Sequence, residues 1–263
     1  MEDEKLPLTE HLGDLRKRIV ISLCAFLIAF MVSFSFSEYL FKLIIFPLKY
    51  NLVLSLENPY IQFVEHDKLG GTKLVFLAPA EALWMNIKIS IISAIIIGLP
   101  IFFHQLWKFI SPGLLKHEKK YLIPFIFSST ALFLVGASFC FFIVLPFAIS
   151  FLLTYKVDEI LIPMLSVGMY VDFCLKFILA FGIMFELPIV IIFLTKMGIV
   201  TPEFLSKNRK YAALMAFVLS ALLTPTPDAF NQTLMAVPII MLYEAGIWLS
   251  KLFRRKKINT EEN

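Results

Sequence analysis

IVISLCAFLIAFMVSFSF, residues 19–36, runs between Lys17-Arg18 and Glu38 without a single charge. A hydrocarbon core about 30 Å thick needs around 20 predominantly apolar residues in a helix, and this run approaches that length. Comparable runs recur at 83–107, 121–153, 168–194, 211–223 and 231–250. With 59% hydrophobic residues and 28 Phe in 263 positions, a water-soluble globule would expose most of its apolar surface, so that class is excluded. The reading is an all-α integral membrane protein. Six transmembrane helices form one polytopic domain over 1–263, with 1–18, 37–79 and 251–263 lying outside the spans.

The charges between the runs set the orientation. Lys and Arg number 17 in segments 1–18, 108–120, 195–210 and from 251 onward, against 5 in 37–79, 148–167 and 224–230. Basic residues concentrate on the cytoplasmic side, which predicts cytoplasmic N- and C-termini in a cell inner membrane. The net charge of +4 follows from those flanks and implies no nucleic-acid partner. The charged first 18 residues lack a removable signal, so the first span serves as the anchor. Cys24, Cys140 and Cys174 lie inside apolar runs and read as small buried hydrophobes. The histidines His11, His66, His104 and His117 do not fall at metal-ligand spacing, so no metal and no cofactor is expected.

Segment 6–18, LPLTEHLGDLRKR, places Leu8, Leu12, Leu15 and Ile19 on one helical face and Glu10, Asp14 and Lys17 on another. This predicts an amphipathic helix lying on the membrane surface. In loop 37–79, Pro47 ends or bends an apolar first part, and Asn58-Pro59 and Gly70-Gly71 are turn signals. Pro100, Pro124, Pro146, Pro188 and Pro238 within or near the spans predict kinked helices in a concave bundle. The fifth span is short: the 14 residues between Lys210 and Pro225 reach about 21 Å. Either the bilayer thins around a short fifth and sixth helix, or a tilted partner covers them.

Charges inside spans point to function. Glu186 lies deep in the fourth run beside Pro188, where an ionised carboxylate needs water or a partner. A protonated, hydrogen-bonded Glu is the structural alternative. Asp172 and Lys176, at i and i+4, are expected to neutralise each other, and Lys88 is expected to snorkel outward. An ion-coupled small-solute transporter using Glu186 fits a lone deep carboxylate, but no internal repeat accompanies it. An enzyme is not expected, because no Ser-His, di-Asp or metal constellation lies within the spans.

Five motifs in order, HLGDLRKR (11–18), FISPGLLKHEKK (109–120), FGIMFELP (181–188), MGIVTPEFL (197–205) and TPTPDAFNQTLMAVP (224–238), resemble the TatC family. That family is the multi-spanning receptor of the twin-arginine protein translocase. The resemblance covers nearly the whole chain. It implies a cupped bundle of six helices that binds Arg-Arg signal peptides of folded precursors at its cytoplasmic face. It also implies assembly with the single-span partners TatA and TatB, several copies per complex, and transport driven by the proton-motive force. The resemblance assigns signal-peptide binding to Glu118, in Lys116-His117-Glu118, and to Asp14, where the family carries Glu. Glu10, one turn earlier, is placed to share the work of Asp14; Arg16 and Phe109 fall at neighbouring family positions. A carboxylate suits a guanidinium because it accepts two parallel charge-assisted hydrogen bonds, whereas Lys offers a point charge without the fork. Arg16, Lys17, Arg18, Lys119 and Lys120 would repel an arginine pair unless they face headgroups or other acids. Asp228 and Gln232 match positions in the partner-contacting hairpin, with Thr226 inserted in its turn. Met215, Leu219 and Leu222 offer an apolar stripe on the fifth helix for the same contact.

Overall fold

The computed structural model describes residues 8–54, 61–65, 74–110, 122–154, 165–224 and 228–253. Helix α1 (Leu8–Ser35) continues without interruption from the charged N-terminal segment into the first span. The separate surface helix expected over 6–18 is therefore not formed. No proline or glycine pair breaks the chain at the Arg18 boundary, so helical hydrogen bonding propagates through it. Two short helices follow, α2 (Ser37–Ile44) and α3 (Phe46–Lys49), and Pro47 stands in the first turn of α3, where its missing N–H costs nothing. The loop then forms a hairpin that the hydropathy pattern did not reveal: β1 (Tyr50–Leu54) pairs antiparallel with β2 (Ile61–Glu65).

Strand β3 (Leu74–Val75) leads into α4 (Glu81–Ile110), followed by α5 (Leu122–Phe139), a π-helical turn at Cys140–Val144 and α6 (Leu145–Thr154). Pro146 explains the π turn, since its ring would clash with the Phe142 carbonyl in regular α geometry. Strand β4 (Leu165–Ser166) pairs in parallel with β3 and opens α7 (Val167–Met184). The remaining elements are α8 (Leu187–Lys196), α9 (Pro202–Lys207), α10 (Arg209–Leu223) and α11 (Ala229–Phe253). Helical stretches long and apolar enough to span a membrane are Gly13–Ser35, Glu81–Ile110, Ile123–Leu153, Val167–Lys196 and Ala229–Leu252. Helix α10, with 15 residues, reaches only about 22 Å at 1.5 Å per residue. It is the short fifth span; α11, with 25 residues, is not short along its helix.

The chain divides into two compact units, Met1–Phe181 and Gly182–Asn263. In the first, α1 packs lengthwise along α4, and Trp107 of α4 stacks on Phe125 of α5 at 4.9 Å. Phe177 and Phe181 are fully buried in the core; Phe173 packs tilted against Phe177 at 4.4 Å, and Phe139 meets Phe181 at 6.0 Å. Cys140 and Cys174 are buried and unbridged, whereas Cys24 is exposed on α1. In the second unit α8 and α10 both pack on α11. A Cβ on Gly246 of α11 would lie 2.6 Å from Ile191 Cδ1 and 3.2 Å from Pro188 Cα, so glycine sets how close α8 comes. Two residues past the end of α8 the chain turns at Gly198, whose φ of 71° glycine adopts freely. The Gly198 and Ile199 amides donate back to Thr195 and Leu194, closing the end of the helix. Thr201 then caps α9 by accepting from the Phe204 amide at 3.2 Å, with Pro202 in the first turn.

Candidate functional sites

Asp14 sits on α1 one turn before Arg18, and that spacing brings the two side chains together. Arg18 donates to Asp14 Oδ2 from Nε at 3.0 Å and from a terminal guanidinium nitrogen. The Asp14 side chain is 37% exposed and that of Arg18 only 11%. Arg16 and Lys17 are exposed on other faces of the helix. Arg18 thus meets an acid of its own helix. Phe109 stands half-buried in the last turn of α4. Glu118, the 111–120 loop around it and the side chain of Glu10 lie outside the described residues.

Glu186 occupies a break in the fourth span. Pro188 cannot donate to the Met184 carbonyl, so α7 stops at Met184 and α8 begins at Leu187. The turn between them is closed by the Glu186 amide donating to Ile183 O at 3.1 Å, and the Glu186 carbonyl accepts from Val190 at 3.0 Å. The opened backbone expected beside Glu186 is present, and its Oε1 is enclosed.

Helices α10 and α11 form a hairpin. Ala216 and Ser220 are the buried positions of α10, small enough for close helix approach. Asp228 begins α11 by accepting from the Asn231 amide at 2.7 Å and from the Asn231 side chain at 3.0 Å. The Gln232 amide donates to the Phe217 carbonyl at 3.1 Å, tying the hairpin within the chain. Met215, Leu219 and Leu222 point away from it, Leu222 being 80% exposed. At the other end Arg209 pairs with Glu244 at 2.7 Å and Tyr243 donates to Leu205 O at 3.0 Å.

The charge pairing expected within α7 is corrected. Asp172 accepts both its bonds from Lys88 of α4, at 2.7 and 2.9 Å, while Lys176 is exposed. Lys88 therefore does not snorkel outward. Close by in sequence on the same two helices, Glu81 accepts from the Gly168 amide at 2.6 Å and from the Ser166 hydroxyl, and reaches back to Leu77 N at 2.6 Å. One signal in the sequence could have found the first tie. Lys88 and Asp172 are opposite intramembrane charges at similar distances from the starts of their runs, and such charges pair. Among the described residues no group of three or more His, Cys, Asp or Glu could hold a metal ion.

Spans of this length, joined by polar ties between helices, define a polytopic α-helical membrane protein. Residues 10–238 match the family described as Sec-independent protein translocase protein (TatC). The TatC of Aquifex aeolicus is 43% identical over 96% of this chain and 98% of its own. That of Desulforapulum autotrophicum is 40% identical over 99% of this chain and 90% of its own. A crystal structure of the twin arginine translocase receptor TatC superposes with a TM-score of 0.78 at 41% identity. It covers 93% of this chain and 100% of its own. The chain belongs to the TatC family.

Proposed function

We propose that this chain is the receptor and core subunit of a twin-arginine translocase. It binds Arg-Arg signal peptides of folded precursors at the cytoplasmic face of the inner membrane, with both termini on that side. It acts by binding and assembly, without chemical conversion of its substrate, and draws on the proton-motive force. The observation that carries this reading is likeness over nearly the full chain, at 41% identity, to a protein described as that receptor. The ion-coupled transporter reading of Glu186 gains no support from the Aquifex aeolicus and Desulforapulum autotrophicum relatives, both described as Sec-independent protein translocase proteins.

In this reading Asp14 and Glu118 receive the two arginines, with Glu10, Arg16 and Phe109 around them. The placement of Asp14 at the charged end of α1, partly exposed, supports it. Single-span partners of the TatA and TatB kind dock on the exposed Met215, Leu219 and Leu222 stripe, beside Asp228 and Gln232, and several copies of the chain share one complex. The short α10 supports that placement, because a mismatched helix gains by association with another short helix. Glu186, at the break between α7 and α8, serves transport more than signal binding, so Glu186→Ala should bind signal normally and export poorly.

The test is peptide binding to the full chain in nanodiscs. Asp14→Ala and Glu118→Ala should each lose charge-assisted hydrogen bonds of about 1.5–3 kcal/mol, or roughly 10- to 100-fold in affinity. Asp14→Glu should be tolerated. Unchanged affinity in both alanine variants would place the site elsewhere.

A further inference from the structure

We infer that Lys176 of α7 holds the phosphate of a membrane phospholipid whose acyl chain lies along the same helix at Leu179 and Ile183. Of the 18 residues of α7, only Met169, Lys176 and Ile183 are exposed, and only Gly168, Asp172 and Leu179 are half-buried. The rest are buried. Positions 169, 172, 176, 179 and 183 alternate steps of three and four, so they form one ridge along the helix. That ridge is all that α7 offers beyond its packed neighbours.

The ridge carries one uncompensated charge. Asp172 gives both its oxygens to Lys88, at 2.7 and 2.9 Å, and those two charges cancel. Lys176, one turn further along α7, has no ion pair or hydrogen bond among the described residues. An ammonium turned to hydrocarbon without a partner is expensive. The position therefore calls for an anion.

Helix α4 sets the level of that ammonium in the bilayer. Its 30 residues reach about 45 Å, matching a bilayer of about 40–45 Å with its headgroup regions. Lys88 and Lys108 stand 20 residues apart with no Asp, Glu, Lys or Arg between them, which spans about 30 Å, the thickness of the hydrocarbon alone. Lys88 thus marks one hydrocarbon boundary, and Asp172, bonded to it, lies at the same level. The N-termini of both helices lie on that side, tied by Glu81 to the Gly168 amide. Lys176 starts one turn, about 6 Å, further in. Helical side chains lean toward the N-terminus, and the lysine stem is long enough to bring the ammonium back to the headgroups. Phosphate is the anion of that layer, and lysine binds it as a point charge through charge-assisted N–H bonds. Toward the bilayer centre the ridge turns apolar, at Leu179 and Ile183. A cation at headgroup level followed by apolar side chains is the complement of a phospholipid read from phosphate to chain.

The experiment uses the full chain, stripped of lipid, in maltoside micelles that hold no competing phosphate. The probes are phosphatidylglycerol with a diazirine on its acyl chain and diacylglycerol with the same chains and diazirine. After irradiation, adducts are mapped by mass spectrometry and followed against probe concentration. Phosphatidylglycerol should label α7 at Leu179 and Ile183. Lys176→Gln should raise its half-saturating concentration about tenfold, the worth of one charge-assisted hydrogen bond, while Lys176→Arg should keep it within about threefold. Diacylglycerol should label the same positions weakly in all three proteins. Glycerol 3-phosphate at the concentration of the lipid should not displace the probe, because it lacks the chain. Lys176→Gln should resist unfolding by dodecyl sulfate as the unsubstituted chain does, since residue 176 makes no bond that the substitution removes.

A half-saturating concentration that Lys176→Gln leaves unmoved would overturn the inference, and so would diacylglycerol labelling as readily as phosphatidylglycerol. Full displacement by glycerol 3-phosphate would overturn the lipid in favour of free phosphate. Absence of any adduct on α7 would overturn it too, and is the outcome expected if a carboxylate-bearing helix or a second copy of the chain covers the ridge.

Discussion

Removing the charge of Asp172 should strand Lys88, and the size of the effect follows from where the pair sits. Lys88 lies seven residues beyond the start of α4 and Asp172 five beyond the start of α7, or about 10 and 8 Å along their helices. The ammonium is 2.7 and 2.9 Å from the two carboxylate oxygens. At an effective dielectric of about 20 the gross attraction at such a separation is about 6 kcal/mol. Dehydrating each ion costs several kcal/mol, so most of that attraction is cancelled in the intact pair. The single variants reveal the remainder. Side chains 43% and 38% exposed are less confined than a fully buried pair, so Asp172→Leu should cost about 2 kcal/mol, below the 3–5 of a buried case. Lys88→Met should cost a similar amount. The double variant Lys88→Met/Asp172→Leu should return to within about 1 kcal/mol of the unsubstituted chain, giving a coupling of about 3 kcal/mol. Unfolding of the micelle-solubilised chain by sodium dodecyl sulfate, followed by tryptophan fluorescence, measures all of these. A coupling of zero would refute the reasoning. So would a Lys176→Met variant that costs as much as Lys88→Met, since that is the result pairing within α7 would give.

Asp228→Ala should remove the acceptor that starts α11 and cost about 1 kcal/mol in the same unfolding assay, while Asp228→Asn should cost a few tenths. Gly246→Leu should force α8 from α11, because the added carbons meet Ile191 and the Pro188 backbone. Overpacking of this kind costs about 1–3 kcal/mol, and Gly246→Ala should fall at the low end because the Ile191 methyl can rotate away. Inserting four leucines into α10 should lengthen it by about 6 Å. Signal binding should survive, and crosslinking of a single-span partner to position 215 and export should fall; normal crosslinking and export would dispose of the mismatch argument.

What was legible in the sequence is what depends on runs of residues. The spans, the short α10 and the break beside Pro188 all follow from hydropathy, helical rise and a missing amide hydrogen, which act locally. The hairpin of β1 and β2 was not legible, because loop 37–79 contains apolar residues that serve either a membrane-packed coil or a paired strand. The surface helix failed for a different reason. Amphipathic spacing over 6–18 reports which face is polar, but it does not say where the helix stops, and nothing at Arg18 stops it. The Asp172 error has the same root. Position i+4 is the nearest candidate along the sequence, yet Lys88, 84 residues away, is the one that packing brings within reach.

Asp14 shows how a local pair resolves a conflict that composition poses. Basic residues crowd the N-terminal end of α1, as an orienting flank requires, and an acid proposed to receive arginines would then stand in a repulsive field. The geometry divides that charge by face. Arg16 and Lys17 are exposed, and only Arg18 is turned onto Asp14, where it is held by one oxygen. Exposed charges are screened beyond about 8–10 Å at physiological salt, while a partly buried pair in direct contact is screened much less. The cation that matters most at Asp14 is therefore the one already neutralised. A flank can orient the helix and still leave Asp14 Oδ1 without a hydrogen bond among the described residues, provided the acid and its guard are spaced by one helical turn. Asp14 and Arg18 have that spacing.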